Sequence, residues 1–499
     1  MSTTEAAPIL GSAAHLELLW ADLGGDPSLA STVVSTGPDV VLPSVFDVTG
    51  FASAAAGAAA LAVAELWATR TGSAVPAVSV DRVGACASFL GEALFQPVGW
   101  ERPAIWDPIA GDYRCADGWI RLHTNYASHR DAALRALGLD PTLEADRDQV
   151  ASLVAERSGD ELEQAVVDAG GCAAVLRTAE QWRASPAGLA TSGEAPVRLG
   201  DPVPITGGTG VDLGSPPGAR PLAGIRVLDL TRVIAGPVAT RYLAAHGAEV
   251  LRIDPPGFAE VGALLPETTL GKRCASLDLR DAADRARFEV LVATAHVVVG
   301  GLRPGALDGL GYGPAGLRAL NPSIVTVSHD AYGWGGPWAG RRGFDSLVQM
   351  STGIAAAGTA AARSAADRPA AVAAGAAAVG TTVGADGDRP VPLPAQALDH
   401  GVGHLLAAAT CRALTRLVQT GAAAAVQGSL VGAANHLLAA PVDGGLAAEP
   451  VSWPADLLVP VDTAWGPSRR VPLAGDIAAH PPSFAVAPAP LGTATPTWP

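Results

Sequence analysis

From Leu222 onward, short β-branched runs alternate with helical stretches. Such a rhythm is ordinarily satisfied by parallel strands joined through right-handed crossovers. Ile225–Leu230 (IRVLDL) is the first strand. Gly236-Pro237 starts a helix that runs to about Ala245, Gly247 ends it, and Glu249–Ile253 (EVLRI) is the second strand. Further strands are expected at Ala275–Leu279, His296–Val299 and Ile324–Ser328, with helices at about 281–293 and 314–320. The expected class is α/β.

The rest of the chain divides by composition. Residues 1–195 mix apolar helical stretches with short extended ones. Residues 196–221 are rich in Pro and Gly without periodicity, which marks a linker. Residues 222–440 form the main domain, 355–390 within it read as a flexible Ala-rich insertion, and 441–499 read as a tail packing back on that domain. The architecture expected is an open, mostly parallel Rossmann-like sheet with helices on both faces, plus a smaller α+β domain.

With 48 acidic and 33 basic side chains the net charge is −15, the wrong balance for a phosphate-backbone binder, so nucleic acid is not an expected partner. Five cysteines (86, 115, 172, 274 and 411) are scattered and never form a Cys-x-x-Cys pair. That pattern fits neither a disulfide framework nor a zinc site, and it suits a reducing cytoplasm. The N-terminus lacks the basic start and long apolar core of a signal peptide. The most apolar stretch, Phe51–Ala64, is mostly alanine and shorter than the ~20 residues a membrane span requires, so it reads as a buried helix with no membrane partner.

An internal repeat is also visible. SVFDVTGFASAAAGAAALAVAELWATRTG, with Asp47, resembles QALDHGVGHLLAAATCRALTRLVQTG, with Asp399. Each places an aspartate before a glycine and an alanine-rich helix that closes on Thr-Gly. Val83-Gly84-Ala85 and Val431-Gly432-Ala433 follow at nearly equal spacing.

The unit at 225–254 could suggest dinucleotide binding, with Asp254 ending the second strand. However, TRVIAGPVATRYLAAH contains no G-x-G-x-x-G to admit a pyrophosphate. The string PLAGIRVLDLTRVIAGPVATRYLAAHGAEVLRIDPPG is instead similar to the opening of the class III CoA-transferase family. That family includes formyl-CoA transferase, carnitine CoA-transferase and α-methylacyl-CoA racemase. GKRCASLDLRD and the R-P-G, L-N-P, G-G-P and G-F-D elements of residues 296–354 follow in the family's order, so the likeness runs from about 222 to 440. DYRCADGWIRLH and the Asp47 helix resemble the family's later portion, yet here they precede the nucleotide-type half. The chain thus resembles a rearranged, two-part member.

The resemblance implies an acyl-CoA:carboxylate CoA-transferase. One aspartate carboxylate attacks an acyl-CoA thioester, and CoA thiolate then converts the mixed anhydride to an aspartyl-CoA thioester. The family's aspartate falls on Asp399, at an expected helix start where free backbone N–H groups could hold its carboxylate or a developing oxyanion. Read locally, Asp399 is first an N-cap; the family's motifs in register make it the nucleophile. Asp47 reads as a cap in a non-catalytic duplicate, with completion of a site across a pseudo-dimer or a partner chain as the alternative.

CoA or acyl-CoA is the implied substrate, with no metal. Lys272 (the chain's single lysine), Arg273 and Arg303 are the expected phosphate contacts, and Gly335, Gly336 and Gly343 are expected to shape loops near the thioester. Ile234 and Pro255-Pro256 depart from members with polar CoA contacts there. The partners implied are acyl-CoA and a carboxylic acid, within a homodimer or an internal pseudo-dimer.

Two other functions stay open: a CoA-dependent isomerase or racemase, and a non-catalytic CoA-binding relative. Racemase members carry histidine where this chain has Phe344, which removes one proton shuttle. His329 and His400 remain candidate bases, although a lone histidine is commonly structural.

Overall fold

The computed structural model describes residues 11–205, 213–214, 216, 218, 220–303, 305–364, 388–442 and 451–499. Helix α1 (Val48–Thr71) comes first among the elements that matter for the site. A small unit follows. In it, β1 (Gly111–Cys115) and β2 (Gly118–Leu122) form a hairpin, and β3 (Ala173–Val175) adds antiparallel to β2. Helices α2 (Ala127–Ala136), α3 (Arg147–Ala155) and α4 (Gly159–Asp168) cover this sheet around a separate core that includes Ile109, Ile120, Leu134, Val154 and Leu162.

The main sheet has seven strands: β4 (Val197–Leu199), β5 (Arg226–Leu230), β6 (Glu249–Asp254), β7 (Lys272–Ser276), β8 (Val297–Gly300), β9 (Val325–Asp330) and β10 (Ala425–Ser429). Their spatial order is β7-β6-β5-β8-β9-β10-β4, and only the edge strand β4 runs antiparallel to its neighbour. The crossover helices are α5 (Ala235–Ala245), α6 (Ala282–Ala293) and α7 (Pro314–Leu320). Strand residues alternate between two cores, as the period of two demands. Val227, Val250 and Val299 face the core shared with α1 and α5, whereas Leu228, Leu251 and Val298 face Phe288, Leu291 and Leu317.

After β9 come α8 (Asp345–Thr352) and α9 (Ile354–Ser364), then the long helix α10 (Ala397–Thr420) and, beyond β10, α11 (Leu430–Leu438). Helices α1 and α10 pack along each other in the main core. Helix α1 is long and apolar enough to cross a membrane, but its side chains are spent on this packing.

The repeat is structural. Both helices have 24 residues, both start from similar cap dihedrals (Asp47 at φ −74, ψ 71; Gln396 at φ −73, ψ 61), and both end on a left-handed glycine, Gly72 or Gly421. Each leads through a strand to a helix capped onto glycine: Asp81 accepts from Gly84 N and Ser429 from Gly432 N. In this register Asp47 corresponds to Gln396, and the counterpart of Asp399 is Gly50. The sequence pairing of Asp47 with Asp399 is therefore three residues out, because both helices offer an aspartate near the start of an alanine run.

Several expected boundaries move. Strand β7 begins three residues before Ala275, since Lys272 enters the core as half of an ion pair. Residues 1–195 are not a separate domain: α1 shares the sheet's core, and only the small unit has its own. The linker expected from 196 starts with β4, which extends the main sheet, and Val203-Pro204 pairs with Ala422-Ala423. The insertion expected from 355 begins as α9, with Ala355 buried; residues 365–387 lie outside the described residues. The C-terminal segment runs beside β7, where Ala494 N donates to Cys274 O and Gly271 N to Val486 O.

Helix α10 meets α5 at a glycine. A Cβ on Gly403 would lie 2.7 Å from the Ala235 carbonyl oxygen and 2.8 Å from Val238. Gly403→Ala is expected to cost about 1–3 kcal/mol in urea unfolding, because backbone must move to admit one methyl.

Candidate active site

A cleft of about 360 Å3 opens at the carboxyl ends of the parallel strands. It is lined by Arg232–Ala235 after β5, Gly301–Arg303 after β8, and His329–Ala331 at the end of β9. Strands β5 and β8 are adjacent although two strands on the other side of β5 separate them in the chain. This is the switch point at which open α/β sheets hold ligands. The small unit closes the mouth with Tyr126, Ser128 and His129.

Asp399, 8% exposed, stands in the cleft wall in the first turn of α10. It also lines a smaller cavity of about 50 Å3 on its other side, together with Trp106, His123 and Ser346. The backbone N–H groups expected to face Asp399 are occupied. Asp345 Oδ2 accepts from Leu398 N (2.8 Å) and Asp399 N (2.9 Å), acting as a cap supplied by α8. Gln349 donates to Asp345 Oδ1 at 2.5 Å and accepts from Leu393 N, so the cap is itself held.

Burial pushes the Asp399 carboxyl well above the usual carboxylate range, and the neighbouring charges of Asp345 and Glu92 push it further. Burial likewise raises Asp345, to about 6. Glu92 is half-buried, which acts to raise its carboxyl, yet the adjacent His400 (2.9 Å) holds it below the ordinary value. His400 is thus engaged with Glu92. His329 does line the cleft, and burial brings its imidazole down to about 4. Asp330 beside it is pushed up by burial to about 8, so this carboxyl is largely neutral near pH 7.

The expected phosphate contacts separate. Arg303 lines the cleft and is exposed. Lys272 does not reach it. The ammonium is fully buried, 2.9 Å from Asp229 Oδ2 and 3.1 Å from the Pro237 carbonyl. Thr240 and Thr231 complete the shell around Asp229. Arg273 points the other way and donates to the carbonyls of Thr497 and Thr495. A lysine or arginine in the chain can serve an internal carboxylate or a chain terminus as readily as a ligand, and nothing local distinguishes these roles.

Gly343 lines the cleft, and a Cβ there would strike Ala331 at 2.6 Å. Gly335 and Gly336 are outside the lining: Gly335 faces open space, and Gly336 abuts Ala190. Asp47 accepts from Gly50 N at 2.7 Å and pairs with His15 at 3.2 Å, so it caps α1.

Several site residues escaped the sequence reading. Arg232, Arg341 and Arg342 join Arg303 around the cleft. Arg341 pairs with Glu163 and Arg232 lies over the Phe258 ring at 3.7 Å. His123 lies flat on Phe344, ring centroids 3.6 Å apart, so an imidazole arrives beside the position where the sequence has none. Val233 has φ 63, a strained value for a β-branched residue, and its N–H donates to Glu260. Glu260 in turn accepts from Tyr126 and pairs with Arg252. The adjacent Arg341-Arg342 before Gly343 was a usable signal; His123 and Tyr126 reach the site only through tertiary packing. Among the described residues no group of His, Cys, Asp and Glu could hold a metal ion.

The profile of CoA-transferase family III matches residues 222–456. Over these residues the chain is similar to that family. The probable fatty acyl-CoA transferase Rv3272 of Mycobacterium tuberculosis is 31% identical over 222 residues, 42% of this chain and 50% of that protein. The acetyl-CoA:oxalate CoA-transferase of Acetobacter aceti is 34% identical over 148 residues, 28% of this chain and 38% of that one. A crystal structure of Rv3272 aligns over 44% of this chain and 56% of its own with 32% identity and a TM-score of 0.37. The chain spans half the length, or less, of these curated relatives.

The Asp229–Lys272 pair yields a prediction. Lys272→Ala leaves Asp229 buried and uncompensated, so it is expected to destabilise the fold by about 3–5 kcal/mol in urea unfolding.

Proposed function

We propose that this protein is an acyl-CoA:carboxylate CoA-transferase with Asp399 as its nucleophile. The observation that carries the reading is the position of Asp399 in a wall shared by an arginine-lined cleft and a small, largely apolar cavity. The cleft suits the anionic nucleotide end of CoA, with Arg303 and Arg232 near its phosphates, and the cavity suits an acyl group. The thioester carbonyl then meets Asp399. The family similarity of residues 222–456 supports the same class of chemistry.

In the reaction, an Asp399 carboxylate oxygen attacks the thioester carbonyl carbon. The C–S bond breaks, CoA leaves as thiolate, and an acyl-aspartyl anhydride remains. The thiolate attacks the aspartyl carbonyl, releasing the donor acid as carboxylate and leaving an aspartyl-CoA thioester. The acceptor carboxylate repeats these steps in reverse, so CoA is transferred and Asp399 is regenerated. A carboxylate with a raised pKa is the better nucleophile once ionised, and exclusion of water protects the anhydride. The internal α1·α10 pair supports a pseudo-dimer within one chain, and five buried free cysteines suit a reducing, cytoplasmic setting.

A second reading, proton exchange on an acyl-CoA, has one observation in its favour: His123 against Phe344. That activity needs no acceptor acid and would place solvent deuterium at the α-carbon, whereas transfer requires the acid.

Asp399→Asn is expected to lower transfer by at least about 10³-fold, with the fold retained; retention of a tenth of the activity would exclude Asp399 as nucleophile. Because the raised carboxyl must ionise, kcat/KM rises with pH along an acid limb above the ordinary carboxylate range. Asp345→Asn removes one of the charges that raise Asp399 and moves that limb to lower pH.

A further inference from the structure

We infer that the smaller cavity beside Asp399 selects a short acyl chain carrying a hydroxyl group, and rejects one carrying a second carboxylate. This rests on the transferase reading and specifies its substrate class.

Size sets the chain length. The cavity, at about 50 Å3, is a small fraction of the roughly 360 Å3 cleft on the other side of Asp399, which favours a short chain. Ile105, Trp106, Val261 and Leu264 give it an apolar side.

Charge sets the class. Among the described residues no lysine or arginine lines it, while Glu92, Asp345 and Asp399 all do. The arginines line the other side of Asp399, in the large cleft. A carboxylate at the far end of the acyl chain would therefore meet like charge in a dry site, without a counterion.

Unclaimed hydrogen-bonding capacity sets the substituent. Asn125 is engaged, accepting from Asp107 N and donating to the Ile105 carbonyl. Tyr126 is committed to Glu260, and Glu92 to His400. Two residues that line the cavity each carry a buried polar atom with no protein partner: Nδ1 of His123, whose residue is 5% exposed, and Oγ of Ser346, 7% exposed. Burial keeps the His123 ring well below the usual imidazole range, so it is neutral at physiological pH. A neutral imidazole and a hydroxyl, fixed by stacking on Phe344 and by the first turn of α8, match a substrate hydroxyl that both donates and accepts. An unsubstituted acyl group would leave both groups unsatisfied, the situation in which sites discriminate most strongly.

The test compares acetyl-, butyryl-, 3-hydroxybutyryl-, succinyl- and octanoyl-CoA as donors to one acceptor acid. Binding of the same thioesters to Asp399→Asn is followed by calorimetry, which reads the preference independently of turnover. We expect kcat/KM for 3-hydroxybutyryl-CoA at least tenfold above butyryl-CoA and a hundredfold above succinyl- and octanoyl-CoA. Ser346→Ala and His123→Phe should each reduce the hydroxybutyryl-to-butyryl ratio at least fivefold, a ratio that a general loss of packing would not move. Equal use of butyryl- and 3-hydroxybutyryl-CoA, or succinyl- or octanoyl-CoA as a good donor, overturns the inference while leaving the transferase reading intact. Absence of transfer with every donor removes the transferase reading, and the calorimetric ranking then decides whether the cavity has the stated preference.

Discussion

Two buried helices that approach each other at small residues set the spacing of the whole molecule. Half of α1 is alanine and glycine, and on α10 Gly401 admits the Phe51 ring where a Cβ would sit 2.2 Å from it. This close pairing holds α10 at one height relative to the main sheet, and Gly403 brings it onto α5. Asp399 therefore arrives at the carboxyl ends of the strands as a consequence of core packing. Its own surroundings follow from that placement, because a carboxylate at the start of a buried helix has little access to water and lies near Asp345 and Glu92.

A second constraint is the buried charge running beneath the cleft. Asp229, Lys272, Arg252, Asp254 and Glu260 are each nearly excluded from solvent. Buried ions are tolerable when paired and hydrogen-bonded, and here the pairing has a structural use. Glu260 at its end accepts from both the strained Val233 and Tyr126, and so joins the β5 loop of the main sheet to the small unit. The two walls of the cleft are thereby connected through one carboxylate. Strain at Val233 persists because both sides over-determine its position.

Much of the main sheet was legible in the sequence because strands of a parallel sheet, buried on both faces, read as apolar β-branched runs. IRVLDL and EVLRI appear almost as written. The strand at Lys272–Ser276 was displaced, since an isolated lysine looks like surface until its partner 43 residues earlier is known. Asp399 was legible as a candidate through motif order. Its counterpart in the repeat was not, because alanine-rich helices carry no side chains to fix register, and cap dihedrals were needed to align Gly50 with Asp399. The second wall of the site, with His123 and Tyr126, depends on how an antiparallel unit docks over a parallel sheet, and no local pattern encodes that.

The most direct test of the account is intact-protein mass spectrometry after a rapid acid quench of the enzyme mixed with acyl-CoA, followed by peptide mapping. The account predicts an adduct equal to CoA less one water, located on Asp399, discharged by hydroxylamine and absent from Asp399→Asn. Transfer that proceeds with no adduct, or with one on another residue, would contradict it.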